Sequence, residues 1–155
     1  MLFFNDSFSI KSWKQLFYSD IVNKWLKIRL LINSKKDLWF FRYRVVPYKN
    51  NFFFTSPFDR NLEYFTYLSF DSLFFASFLY RRLQGTNISG GISLDYCCGM
   101  GILSFIISNF YSKVIGIDVN SAAIQMAELN SSINYFQNCF FYCRNSIPIN
   151  EMKYD

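Results

Sequence analysis

The stretch Ile92-Ser93-Leu94-Asp95-Tyr96-Cys97-Cys98-Gly99-Met100-Gly101, followed by Val114-Ile115-Gly116-Ile117-Asp118-Val119-Asn120, limits what this chain can fold into more than any other part of it. An apolar strand enters a glycine turn, a helix follows, and a second apolar strand ends in an acid. In an open α/β sheet that order builds a nucleotide pocket at the carboxyl ends of the two strands. The alternation around it is regular: strand Ile92–Tyr96, helix Ile102–Phe110, strand Val114–Ile117, helix Ser121–Asn130 and strand Cys139–Cys143. With right-handed crossovers this predicts a parallel sheet. Asn120 or Ser121 stands where a cap of the second helix is needed, and Ala122, Ala123, Ile124, Met126, Ala127 and Leu129 favour both helix and burial.

Upstream, Ile10, Trp13, Phe17, Ile21, Trp25, Ile28 and Ile32 recur at steps of three and four. That is the spacing of one helical face, and it predicts an amphipathic helix over 10–32 with a basic opposite side. Leu38 to Val46 is β-rich, with Arg42 and Arg44 alternating against Phe41, Tyr43 and Val45. Pro47 is expected to stop that strand and Asn50-Asn51 to turn the chain into a hairpin with Phe52–Thr55. Residues 56–61 read as a loop. Ser69 or Asp71 can cap a helix running through Leu73, Phe74, Ala76, Phe78 and Leu79 to about Leu83, and 86–91 is a turn-rich connector. The expected organisation is a basic, aromatic N-terminal region over 1–67, helix plus hairpin, followed by an α/β unit over 68–155.

Composition narrows the class. Of 155 residues 52% are hydrophobic and 17% charged, which is enough to bury a core and too apolar for a disordered chain. No uncharged apolar run approaches the roughly 18 residues that span a bilayer. The start Met1-Leu2-Phe3-Phe4-Asn5-Asp6 lacks the basic region and cleavage site of an export signal, so a cytoplasmic location without a membrane partner is expected. Cys97, Cys98, Cys139 and Cys143 accompany no histidine, and their spacing does not supply two C-x2-4-C pairs. They read as reduced structural thiols, with no metal expected. Charge is uneven: 13 Lys and Arg stand against 6 Asp and Glu through residue 90, and 3 against 5 beyond it. In the basic part Lys11, Lys14, Lys24, Lys27, Arg29, Lys35, Lys36, Arg42 and Arg44 are interleaved with Trp13, Trp25, Trp39, Phe40 and Tyr43. That mixture suits phosphates and unstacked bases; a solvated helix face over core aromatics is the competing reading.

Gly99 and Gly101 permit a sharp turn and close approach of the backbone to a ligand. A dinucleotide fingerprint wants a third glycine where this chain has Ser104, which weakens a nicotinamide reading. What the turn does have is an acid four residues before its first glycine, Asp95, and a second acid, Asp118, closing the next strand. This D-x-x-x-G-x-G order resembles the S-adenosylmethionine pocket of class I methyltransferases. The resemblance covers about residues 68–155. Leu68-Ser69-Phe70-Asp71-Ser72-Leu73-Phe74-Phe75-Ala76 and Ala127-Glu128-Leu129-Asn130 are similar to segments of bacterial tRNA adenine-N6 methyltransferases and related small-domain methyltransferases.

That resemblance implies a Rossmann-like α/β fold, with 68–155 the N-terminal half of a methyltransferase domain and an α+β extension before it. It implies S-adenosylmethionine as cofactor, Gly99 and Gly101 bordering its methionine and ribose, and Asp118 accepting hydrogen bonds from the ribose hydroxyls. Asp95 would lie beside the methionine ammonium, with Cys97 where the family more often has a small residue. Asn145 stands where many relatives place an acid that reads the adenine amino group. Asp71 is a further cofactor candidate, and a helix cap is its competing role. The implied reaction is N-methyl transfer, to adenine in tRNA or rRNA reached through the basic region, or to a protein glutamine. No catalytic residue is expected within the chain, because the Asn/Asp-Pro-Pro-Tyr/Phe motif that holds the target nitrogen does not occur through Asp155. A fragment, or one part of a partnered enzyme, is therefore expected, with Ile92–Tyr96 an apolar edge open to a partner strand or a second copy. The rival readings are a non-catalytic module that binds S-adenosylmethionine and a nicotinamide-dependent oxidoreductase.

Overall fold

The computed structural model describes residues 8–33, 37–56, 66 and 68–147. Lys35, Lys36, the expected loop at 57–61 and the residues from 148 onward lie outside them.

The N-terminal region folds around its aromatic residues. Strand β1 (Phe8–Ser9) leads into helix α1 (Ile10–Leu16), whose first turn is capped by the Ser9 side chain accepting from the Ser12 N–H. Helix α2 (Ser19–Lys27) follows, then β2 (Leu31–Asn33) and β3 (Leu38–Phe41), in an antiparallel sheet of order β1-β3-β2. The single helix expected over 10–32 is therefore two helices and a strand. Phe17 and Tyr18 take extended backbone, and Arg29, with φ +55°, turns the chain out of α2. Packing is the physical reason. In one continuous helix Trp13 and Trp25 would lie about 18 Å apart at 1.5 Å per residue; here their rings meet edge to face with centroids 6.5 Å apart. Phe41 closes on both, at 5.2 Å from Trp13 and 5.0 Å from Trp25. The three- and four-residue spacing survives inside each short helix and cannot reveal the fold-back between them.

A hairpin follows, β4 (Arg44–Tyr48) with β5 (Asn51–Thr55), turning at Lys49-Asn50, one residue earlier than expected, with Lys49 at φ +53°. Pro47 does not stop the strand. It pairs with Phe52, whose N–H and carbonyl both face α5, so the absent proline N–H costs no ladder bond. The hairpin rests on helix α3 (Phe70–Gln84) through a 2.8 Å hydrogen bond between the Tyr48 and Ser77 hydroxyls and through Lys49 Nζ over the Tyr80 ring. Ser69, not Asp71, caps α3.

The expected α/β alternation then appears: β6 (Ile92–Tyr96), α4 (Ile102–Ile107), β7 (Lys113–Asp118), α5 (Ser121–Ile133) and β8 (Cys139–Cys143). The strands are parallel, in the order β6-β7-β8, with Asp95 opposite Gly116 and Asp118 opposite Cys143. Helix α4 ends three residues earlier than expected, because the Asn109 amide donates to the Phe105 and Ile106 carbonyls and closes its last turn. Asn120 caps α5 as expected. Val114 to Ile117 are all buried, as a strand covered on both faces requires, whereas Ile92 to Asp95 are half-buried. Among the described residues β6 is paired on one side only, by β7. No helix of the described residues is long and apolar enough to cross a membrane.

Candidate functional site: the glycine turn and two carboxylates

The turn after β6 winds through alternate left-handed positions: Cys97 at φ +65°, Gly99 at +54° and Gly101 at +87°. Three backbone bonds of 2.9 Å hold it, from Cys98 N–H to the Ile117 carbonyl, from Gly101 N–H to Cys98, and from Phe105 N–H to Gly101. The two glycines serve different ends. A Cβ on Gly101 would come within 2.9 Å of the Phe105 ring and 3.0 Å of Phe141, so this position packs backbone against the core. A Cβ on Gly99 would meet nothing within 4 Å, so backbone lies bare beside open space, which is what close approach of a ligand requires.

Asp118, half-buried at the end of β7, ties this turn to the next helix. Its Oδ2 accepts from the Gly99 N–H at 2.8 Å and its Oδ1 from the Asn120 N–H at 2.8 Å. Each oxygen keeps a lone pair free, so the carboxylate is aimed by the backbone and can still accept from a ligand hydroxyl. Asp95, half-buried at the end of β6, accepts from the hydroxyl of the fully buried Ser104 at 2.6 Å. Burial pushes the Asp95 carboxyl above its ordinary value; the Ser104 hydrogen bonds pull the other way, and the Asp118 charge adds to the rise. Two carboxylates that sense each other beside a bare glycine backbone favour a cationic ligand carrying hydroxyls. They oppose a diphosphate, which adds like charge.

Asp118 is thus hydrogen-bonded to Gly99 in the glycine turn, Asp95 to Ser104 just beyond it, and the two carboxylates sense each other's charge, with the exposed Cys97 at the start of the turn. Cys98 is the buried thiol of the pair, and burial raises its pKa further from the neutral range, as it does for Cys139, pushed up to about 11. Asn145 contributes its backbone: its carbonyl accepts from the Tyr96 hydroxyl at 3.3 Å, a contact between the end of β6 and the loop after β8, and its side chain is exposed. Asp71 is exposed in the first turn of α3 and sits outside this group. Ser104 and Tyr96 are the site residues that sequence reasoning missed. Ser104 was visible only as a missing third glycine; a hydroxyl one helical turn after the glycines and nine residues from an acid is the signal that marks it.

The basic N-terminal surface also changes on folding. Lys11, Lys14, Lys24, Lys27, Arg29 and Arg42 are exposed, but Arg44 is buried. Trp13 is wholly buried, and Trp25 and Trp39 pack against the same core. Of the aromatics interleaved with these charges the tryptophans pack internally, as the competing reading has it, and Phe40 and Tyr43 are half-buried; Tyr18, in the same region, is exposed.

Fold and site together define a class, the Rossmann-like methyltransferase fold with an antiparallel α+β region before it. Residues 88–155 match the family model described as a methyltransferase domain. Among characterised proteins, the tRNA (uracil-5-)-methyltransferase homolog B of Danio rerio is 38% identical over 52 residues, 34% of this chain and 11% of that protein. The 23S rRNA (uracil(1939)-C(5))-methyltransferase of Legionella pneumophila is 32% identical over 62 residues, 40% of this chain and 14% of that protein. Among solved structures, a SAM-dependent methyltransferase from Agrobacterium tumefaciens superposes with a TM-score of 0.55 at 11% identity, over 79% of this chain and 42% of that one. The chain matches 11% and 14% of the length of the two RNA methyltransferases and 42% of that of the solved structure.

Proposed function

We propose that this chain carries the cofactor-binding part of an S-adenosylmethionine-dependent methyltransferase acting on RNA. One observation carries the reading: the Asp118 carboxylate, fixed by the Gly99 and Asn120 amides, closes on a glycine where an added Cβ would meet nothing within 4 Å. In this reading Asp118 holds the ribose hydroxyls and Gly99 and Gly101 border the methionine and ribose. Asp95, steadied by Ser104, lies beside the methionine ammonium. Cys97 lines the entry, Asn145 meets the adenine edge, and Asp71 remains an outer candidate. When bound, S-adenosylmethionine supplies a methyl group on a sulfonium, and the chain's residues position it and exclude water. Residues 1–67 and 68–155 are the two functional parts, the first offering exposed Lys11, Lys14, Lys24, Lys27, Arg29 and Arg42 to RNA phosphates.

The acceptor is uracil C5 in tRNA or rRNA, supported by the names of the similar proteins; the adenine amino group, suggested by the stretch from Leu68 to Ala76, is the alternative that the experiment separates. The side of the half-buried strand β6 away from β7 is the place for a partner strand. Tritiated S-adenosylmethionine is photocrosslinked to the full chain, and tRNA binding is followed against salt. Label displaced by S-adenosylhomocysteine, with RNA affinity falling steeply as salt rises, supports the reading. Label displaced by NAD, or no RNA binding at low salt, contradicts it. Nucleosides from RNA methylated in the presence of the chain then distinguish 5-methyluridine from N6-methyladenosine.

A further inference from the structure

Among the described residues, the hairpin β4–β5 is held along the β5 edge by side chains and not by another strand. Asn130 in α5 and Asn134, the cap at its C-terminal end, meet alternate residues of β5. Asn130 Oδ1 accepts from the Phe54 N–H at 2.7 Å, and its Nδ2 donates to the Phe54 carbonyl at 3.0 Å. Asn134 repeats the pattern at Phe52, with 3.0 Å and 2.8 Å. Each amide reproduces the donor and acceptor of a neighbouring strand, and the backbone groups it meets fix which end is oxygen.

The two asparagines differ in their remaining proton. Asn134, half-buried, also donates to the Asn130 carbonyl of the helix it caps, at 2.8 Å. Asn130 is wholly buried, and its amide reaches the carbonyl of Met100, 3.4 Å away, the residue between Gly99 and Gly101. At full burial the proton has no water as an alternative partner. One side chain therefore joins a hairpin that begins beyond the α/β domain to the glycine turn itself.

We propose that Asn130 is a positioning residue for the cofactor turn, coupling the N-terminal hairpin to the backbone between Gly99 and Gly101, while Asn134 only docks the hairpin; this rests on the reading of that turn as an S-adenosylmethionine site. Holding the Met100 carbonyl fixes the peptide plane that joins Met100 to Gly101, and with it the course of the turn in which the Gly99 N–H reaches Asp118. The coupling runs both ways: a ligand on the turn tightens the Phe54 backbone, and a loosened Phe54 weakens the ligand.

The test titrates S-adenosylhomocysteine into the full chain, Asn130→Ala and Asn134→Ala, and follows amide hydrogen exchange at Phe52 and Phe54 of the unsubstituted chain with and without it. Both variants strip β5 of one two-point pairing, so a purely structural role moves them alike. The expected result is roughly tenfold weaker binding in Asn130→Ala and about twofold or less in Asn134→Ala, with ligand slowing exchange at Phe54 more than at Phe52. Equal losses in the two variants, or equal protection of the two amides, overturn the positioning role. If Asn130→Ala does not fold, the exchange comparison decides alone. Failure of the unsubstituted chain to bind S-adenosylhomocysteine overturns the cofactor reading, and the positioning role with it.

Discussion

The two halves of this molecule answer differently to the same rules of sequence reading. In the α/β half each element is bounded by local chemistry. Glycines stand at φ +54° and +87°, Asn120 caps α5, and β7 is buried along Val114–Ile117. In the N-terminal half the elements are bounded by one another. Trp13, Phe17, Trp25 and Phe41 close into a single aromatic core that forces the chain to double back. The difference teaches that a boundary is legible when the residue at it has a conformational reason to be there, and hidden when the reason is a contact twelve or more positions away.

The largest expected effect sharpens that contrast. Trp13→Ala removes the centre of the N-terminal core and should cost roughly 3–5 kcal/mol. The buried members of the two hydrophobic clusters do not overlap, so hydrogen exchange should rise through α1, α2, β2 and β3 while β7 and β8 stay protected. Loss of protection in both halves together would show that they fold as one unit and break the comparison.

Within the α/β half, Gly101→Ala and Gly99→Ala separate packing from conformation. Gly101→Ala adds a clash with Phe105 and Phe141 to its positive φ, and thermal denaturation should show a loss of roughly 2–4 kcal/mol. Gly99→Ala carries the conformational strain alone, on the order of 1–2 kcal/mol. Its methyl group enters the open space, so ligand affinity should fall by more than its stability does. Equal stability losses would contradict the division of labour between the two glycines.

The smallest effect concerns Asp95. Its folded-state pKa lies above the unfolded value, so the ionised carboxylate costs stability at neutral pH, and that cost is relieved as pH falls through the folded pKa. Melting temperatures from about pH 7 down toward pH 4 should therefore rise for the native chain relative to Asp95→Asn, which has no proton to gain. Parallel curves would mean that Ser104 fully compensates the burial.

Most of the α/β half was readable because its glycines, cap and apolar strands carry their reasons locally, and the structure joins Gly99 to Asp118 and Ser104 to Asp95 by hydrogen bonds. What was not readable are the long-range polar contacts. Ser104 looked like a defect in a glycine fingerprint until its hydroxyl was seen on Asp95. Asn130 looked like a helix-end residue until its amide was seen to span Phe54 and Met100. Neither partner is set by periodicity, so neither contact leaves a pattern in the chain. In the N-terminal half the hairpin forms with its turn at Lys49-Asn50 instead of Asn50-Asn51, Lys49 taking the left-handed position and Asn51 pairing with Tyr48.

The most direct test of the central claim is calorimetric titration of S-adenosylhomocysteine into the full chain and into Asp118→Ala, with NAD as the competing ligand. The account predicts binding by the native chain that NAD does not displace, and a loss on the order of 1.5–3 kcal/mol in a folded Asp118→Ala variant, the scale of a charge-assisted hydrogen bond. Unchanged affinity in that variant, or displacement by NAD, would contradict it.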